Sequence, residues 1–266
     1  MAEGWSWRDR DPSRHAGLRY EPGNWGDALK GEWALIAVEA LLARGAVRVL
    51  DPFAGAPRYP LSPASAARLA ALPSECARYP AAQAPHVAAQ QLASTATLLG
   101  ERGATLHVFD ADDARRGAWT GVRVLDQTDG AAALRAARGA DYELVHVDPY
   151  DLQSEWGTLL PPALEALAPA GVLLAYLFNK APRGGGHVEQ YASLRKGLEG
   201  RLRPDQRLLV GRVPADPVLP RAHHELLLVA PAALAAALEP ALRETARALA
   251  ASVAADGAFE AWEADP

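Results

Sequence analysis

Four aspartates follow short apolar runs at points where the chain would leave a strand. Asp51 follows Val47-Arg-Val-Leu50, Asp110 follows Leu106-His-Val-Phe109, Asp129 lies in the turn after Val122-Arg-Val-Leu125, and Asp148 follows Leu144-Val-His-Val147. Ligands of open α/β sheets sit at these carboxyl ends. A carboxylate at Asp110 can accept both hydroxyls of a ribose, and one at Asp129 can accept from an adenine amino group while Gly130 permits close approach. Asp51-Pro-Phe-Ala-Gly55 has a single early glycine and lacks the G-x-G-x-x-G spacing that a dinucleotide pyrophosphate needs. Gly55 still lets backbone approach a ligand without that group, as S-adenosylmethionine is. The alternative for each turn is structural: Asp110, Asp129, Asp148 or Asp151 would then only cap a helix or shape a turn.

Asp148-Pro149-Tyr150 meets the needs of methyl transfer to an aromatic amine. Such a nitrogen is a poor nucleophile because its lone pair is delocalised into the ring. Accepting its two N–H bonds at Asp148 and at the Pro149 carbonyl favours the attacking geometry, Tyr150 can stack on the base, and Asp148 can take the released proton. Other features carry less. Pro182-Arg-Gly-Gly-Gly-His187 could hold an anion, His107 and His146 read as packing positions inside strands, and His223-His224 lack partners at metal-ligand spacing, so no metal is expected. No serine sits in a G-x-S-x-G elbow.

The elements that would position these residues follow from periodicity. Asp27 to Leu42 repeats apolar residues at helical spacing. Strand-like runs recur at Val47–Leu50, Thr105–Phe109, Val122–Leu125, Leu144–Val147, Val172–Phe178, Arg207–Val213 and Glu225–Val229. Seven strands interleaved with helices predict a mostly parallel α/β sheet, and the short interval before the last predicts an antiparallel final strand. The interval between Asp51 and Asp110 exceeds the ~30 residues of a strand-helix-strand unit. Ala64–Leu72 and Pro85–Leu99 read as helices there, which places a helical insertion at about 58–100 inside one domain spanning 1–266. Ala232–Ala255 reads as a surface helix.

With 266 residues, half of them apolar, the chain can bury a sizeable core. Cys76 is the sole cysteine, which excludes an intramolecular disulfide and a cysteine-rich zinc site. The first fifteen residues lack the continuous apolar stretch of a signal peptide, and Val172–Phe178 is far short of a bilayer span, so a cytoplasmic protein with no membrane association is expected. A net charge of −5 opposes a large basic nucleic-acid surface, although Arg8, Arg10, Arg14, Arg19 and Lys30 form one basic run and Arg195, Lys196, Arg201, Arg203 and Arg207 another.

Taken together the motifs resemble the 23S ribosomal RNA adenine-N6 methyltransferases of the RlmJ type. Tyr20-Glu-Pro-Gly-Asn-Trp-Gly-Asp-Ala-Leu-Lys30 is similar to that family's G-N-x-x-D-x-L-K signature, and Asp51-Pro-Phe-Ala-Gly-Ala-Pro-Arg-Tyr-Pro-Leu61 to its D-T-H-A-G-x-G-x-Y-x-L. Tyr79-Pro80, Asp129-Gly130 and Asp148-Pro149-Tyr150 continue the collinear match. The resemblance implies a class I, Rossmann-like methyltransferase fold with S-adenosyl-L-methionine as cofactor and RNA as substrate; a monomer is expected. It implies a cofactor site lined by Lys30, Gly31, Asp51, Phe53, Gly55, Asp110, Asp129 and Gly130, and Asp148, Pro149 and Tyr150 as the catalytic turn. Tyr20 and Asn24 are the candidates to meet the substrate. The chain departs from the family pattern at Gly31 and Phe53, both histidine there, at Asp110, usually glutamate, and in a D-P-P-Y turn shortened by one proline. Methylation of a small molecule or protein, or a non-catalytic RNA- or protein-binding role, stays open beside the RNA reading.

Overall fold

The computed structural model describes residues 22–149, 152–179, 194, 196–214, 223–253 and 262–263. Strand-forming runs, buried on both faces at the centre and exposed at the β5 edge, build one eight-stranded sheet. Its strands are β1 (Arg48–Asp51), β4 (Thr105–Val108), β5 (Arg123–Val124), β6 (Tyr142–Val147), β7 (Leu167–Asn179), β8 (Gln206–Pro214), β9 (His223–Pro231) and β10 (Trp262–Glu263), in the spatial order β10-β8-β9-β7-β6-β1-β4-β5. β1 runs parallel to β4 and β6, β4 to β5, and β6 to β7, whereas β9 is antiparallel to both β7 and β8. This is the α/β, Rossmann-like arrangement expected from the sequence, with the antiparallel strand at β9 and a further edge strand, β10, antiparallel to β8.

Period-two alternation divides the core into two layers. Leu144, Leu174, Leu226 and Leu228 face one side, with α1 (Trp25–Leu42), α4 (Thr95–Glu101) and α8 (Ala232–Val253) packed there. Val145, Val147, Leu173, Leu227 and Val229 face the other, toward α6 (Gly130–Ala136) and α7 (Leu152–Ala166). Both faces are covered, as parallel sheets require.

α1 is buried almost all round, and it carries Asp27, Lys30 and Glu32 into that burial. Buried charge is tolerated only when paired. Glu32 accepts from the Tyr79 backbone N–H at 2.8 Å and pairs with Arg78 at 3.3 Å; burial raises its pKa, and these hydrogen bonds pull the other way. Arg78 and Tyr79 belong to α3 (Arg78–Ala88), which follows α2 (Pro63–Ala70). α1 is thereby fastened to the segment between β1 and β4.

In that segment β2 (Arg58–Pro60) and β3 (Gln91–Ala93) form a two-stranded antiparallel sheet. The helix expected over Pro85–Leu99 is instead α3, a turn, β3 and α4. Gln90 at φ 59° leaves helical geometry, and Gln83 exchanges two 2.9 Å bonds with Ala93, its side chain standing in for a neighbouring strand. α4 packs on α1 and β4 as the crossover helix between β1 and β4.

Candidate functional site

At the carboxyl ends of β6, β1, β4 and β5, neighbours in that order, stand Asp148, Asp51, Asp110 and the Asp129-Gly130 turn. Asp51 and Asp148 share the α1 side of the sheet, because they alternate with Leu50 and Val147, which face the opposite layer.

α1 supplies the cation. Asn24 caps this helix, accepting from the Asp27 N–H at 3.0 Å, and Asp27 Oδ2 in turn accepts from the Gly23 N–H at 2.8 Å. One helical turn on, Lys30 Nζ pairs with Asp27 Oδ1 at 2.8 Å and with Asp148 Oδ2 at 2.6 Å, and it lies 4.3 Å from the centroid of the Tyr176 ring. The Lys30 side chain is 5% exposed and that of Asp148 22%, so the ammonium is enclosed while the carboxylate keeps an open side. The N-terminal signature and the D-P-Y turn, 118 residues apart, thus meet at one contact.

The 51–55 loop is tied on both flanks. Asp51 Oδ1 accepts from the Phe53 N–H at 3.0 Å, and its Oδ2 lies 2.8 Å from His146 Nδ1. Gly55, at φ 66° where a side chain would be strained, donates its N–H to Asp110 Oδ2 at 3.1 Å, and a Cβ there would strike the Tyr59 hydroxyl. That hydroxyl accepts from the Ala56 N–H at 3.1 Å, so the insertion holds the loop through Tyr59. Asp110 Oδ1 accepts from the Asp112 N–H at 2.8 Å and Arg115 lies 3.7 Å from Oδ2; the carboxylate is oriented yet retains lone pairs. The Phe53 ring packs on Gly130, joining this loop to the turn after β5.

Behind Lys30 the Tyr176 hydroxyl lies 2.6 Å from His224 Nδ1, and both rings press on Gly26. Burial pushes the Tyr176 phenol well above its usual range, and burial lowers His224 to about 3, so the phenol donates and the neutral imidazole accepts. A pH dependence follows. An unfolded imidazole titrates near 6.5, and below that the unfolded chain takes up a proton that the folded chain refuses until about pH 3. Stability present above pH 6.5 is therefore lost as pH falls, by ~1.4 kcal/mol per pH unit. Between pH 7 and pH 5 the wild-type protein is expected to lose ~2 kcal/mol more than His224→Gln, as measured by urea unfolding at the two pH values.

Not every residue inferred from sequence faces this cluster. Gly31 lies under the Tyr79 ring, where any Cβ would collide with it, and so serves the packing of α3 on α1. Asp129 caps α6, its Oδ1 accepting from the Ala132 N–H at 2.6 Å; its Oδ2 lies 3.5 Å from the Thr128 hydroxyl, and the side chain is 58% exposed. Pro149 is buried beside Asp148. Tyr20, Tyr150 and the 182–187 loop lie outside the described residues. Among the described residues no group of three or more His, Cys, Asp or Glu side chains could hold a metal ion, and no helix is long and apolar enough to cross a membrane.

Asp27 and Tyr59 stand in the two signatures with no role assigned there, His146 reads from sequence as a packing position and instead bonds Asp51, His224 is read there only for metal binding, and Tyr176 is not singled out. Two left a signal: Asp27 precedes Lys30 by three on a helix, and His146 precedes Asp148 by two on a strand, spacings that share a face. The Tyr176–His224 contact left none, because it depends on how β9 pairs with β7.

No protein-family model and no curated protein sequence matches the chain. Among solved structures, a Legionella pneumophila protein described by the family model DUF519 superposes with a TM-score of 0.65 at 12% identity, over 86% of this chain and 94% of that one. An S-adenosylmethionine-dependent methyltransferase from Archaeoglobus fulgidus (TM-score 0.42, 10% identity, 74% and 94% coverage) and an O-methyltransferase from Bacillus cereus in complex with S-adenosylhomocysteine (0.42, 10%, 82% and 85%) align more loosely. The first likeness, together with the strand order, establishes a Rossmann-like α/β fold for this chain.

Proposed function

We propose that this chain is an S-adenosylmethionine-dependent methyltransferase acting on an amino nitrogen, adenine N6 of 23S ribosomal RNA. The observation that carries this reading is the 2.6 Å pair between Lys30 and Asp148, which joins the cofactor-side signature to the turn that would face the acceptor amine. The donor set suits the cofactor. Asp110 is oriented with lone pairs left for a ribose diol, and Asp129, 58% exposed, would accept from an adenine amine. Asp27, Asp51 and Asp148 surround the single ammonium of Lys30 and the imidazole of His146, a setting that favours a cationic ligand. When bound, S-adenosylmethionine would supply an electrophilic methyl group on a positively charged sulfur.

The chain's own residues then have defined tasks. Lys30 engages Asp148 Oδ2 and fixes the plane of that carboxylate, leaving Oδ1 to accept one N–H of the amine, while the Pro149 carbonyl accepts the other. Asp148 takes up the proton as the nitrogen gains its methyl group. Asp51 and Asp110 hold the 51–55 loop and the nucleoside end in register.

Purified protein incubated with methyl-labelled S-adenosylmethionine and deproteinised, unmodified 23S ribosomal RNA is expected to place label in N6-methyladenosine after nuclease digestion. A parallel incubation with a metabolite pool separates the substrate classes. Label confined to metabolites would replace RNA by a small molecule, and label in neither would remove the enzyme reading.

A further inference from the structure

His146 is enclosed, 3% exposed, and lies against a carboxylate that is 2% exposed. The ionised carboxylate of Asp51 only accepts, so the imidazole must donate, through Nδ1–H to Oδ2 at 2.8 Å. The same carboxylate accepts from the Phe53 N–H with its other oxygen, and Phe53 seats on Gly130. One side chain on β6 is therefore coupled through two bonds to the loop of β1 and the turn after β5. Among the described residues His146 Nε2 has no hydrogen-bond partner, so the bond to Asp51 is the hydrogen bond that orients the ring there. Among the described residues three charged groups face it: Asp51 from β1, Asp148 just past the end of its own strand and Lys30 from α1; β7 presents Leu174 and Tyr176 on that side. Burial works against a charged imidazole here, yet the Asp51 carboxylate prevails and raises the pKa above the ordinary histidine value.

We propose that His146 is a positioning residue for cofactor binding: its Nδ1–H holds the Asp51 carboxylate, and through it the 51–55 loop, in the geometry that receives the cofactor. This rests on the cofactor reading above. The imidazolium makes a charge-assisted bond that weakens when the ring loses its proton, so loop order and cofactor affinity fall together as pH rises through that transition.

The test is calorimetry with S-adenosylhomocysteine on the full chain from pH 6 to pH 8.5, for wild type, His146→Leu and His146→Asn, whose amide nitrogen takes the place of Nδ1. Expected is at least tenfold weaker binding for His146→Leu, affinity within threefold of wild type at pH 8 for His146→Asn, and at least a threefold fall with rising pH in wild type that His146→Asn lacks. Wild-type affinity in His146→Leu would overturn the proposal, and if that variant does not fold, a pH profile in His146→Asn equal to that of wild type would overturn it. Hydrogen exchange at the Phe53 and Gly55 amides needs no ligand and keeps the two readings apart. Exchange at least tenfold faster in His146→Leu, with the β9 amides of Leu226 and Leu227 unchanged, supports the positioning role even if wild type binds no S-adenosylhomocysteine. Unchanged exchange at Phe53 and Gly55 overturns it even if the cofactor binds.

Discussion

Asp148→Asn is expected to lower methyl transfer by ~10²–10⁴-fold while S-adenosylhomocysteine affinity stays within a few fold. The substitution keeps the shape of the side chain and the fold around it, since Lys30 retains its 2.8 Å pair with Asp27. What disappears is the charge that, in the proposed mechanism, accepts the amine N–H and then the proton. An amide at this position can also turn its own N–H₂ toward the acceptor nitrogen, opposing the lone-pair orientation that attack requires. Single-turnover transfer from labelled S-adenosylmethionine, with calorimetry on the same variant, checks both halves. Undiminished turnover would remove Asp148 from the mechanism.

Lys30→Met is expected to produce the largest loss of stability, ~3–5 kcal/mol, because it strands two carboxylates that share one buried ammonium. The partial exposure of Asp148 argues for the lower end of that range, and Tm should fall by roughly 2–4 °C per kcal/mol. The loss belongs to the carboxylates left behind more than to the missing cation. Adding Asp27→Asn should therefore restore part of the stability, and the two changes should be strongly non-additive in urea unfolding. Additive effects, or a single variant as stable as wild type, would contradict the buried ion cluster. Since Lys30 also orients Asp148, the double variant should remain inactive when its fold is recovered.

The sheet was legible because its central strands are apolar on both faces and end in polar turns: Val47–Leu50 and Leu144–Val147 announce β1 and β6 without ambiguity. α1 was legible from its apolar repeats, yet its three buried charges are invisible to a periodicity argument, which counts Asp27, Lys30 and Glu32 as solvent-facing. The Pro85–Leu99 segment misled for a local reason. Its alanines and leucines have helical propensity, and only the pairing of Gln91–Ala93 with β2 and with the Gln83 amide overrides it. Within the site, the strand-end aspartates could be named one at a time from their turns. Their coupling to Lys30, His146 and Tyr59 could not, because each contact crosses between elements whose spacing along the chain says nothing of distance in space. Gly31 shows the converse: a residue assigned to the cofactor by motif position is occupied by the packing of Tyr79, an arrangement that needs a glycine where the RlmJ-type pattern has histidine.

The measurement that bears most directly on the central claim is a crystal structure of the protein with S-adenosylhomocysteine. The nucleoside should lie with its ribose hydroxyls on Asp110 and its adenine toward Asp129, and the sulfur should face Asp148 across a slot wide enough for a flat base. A ligand bound away from the carboxyl ends of β1, β4 and β6, or a sulfur turned from Asp148, would contradict it.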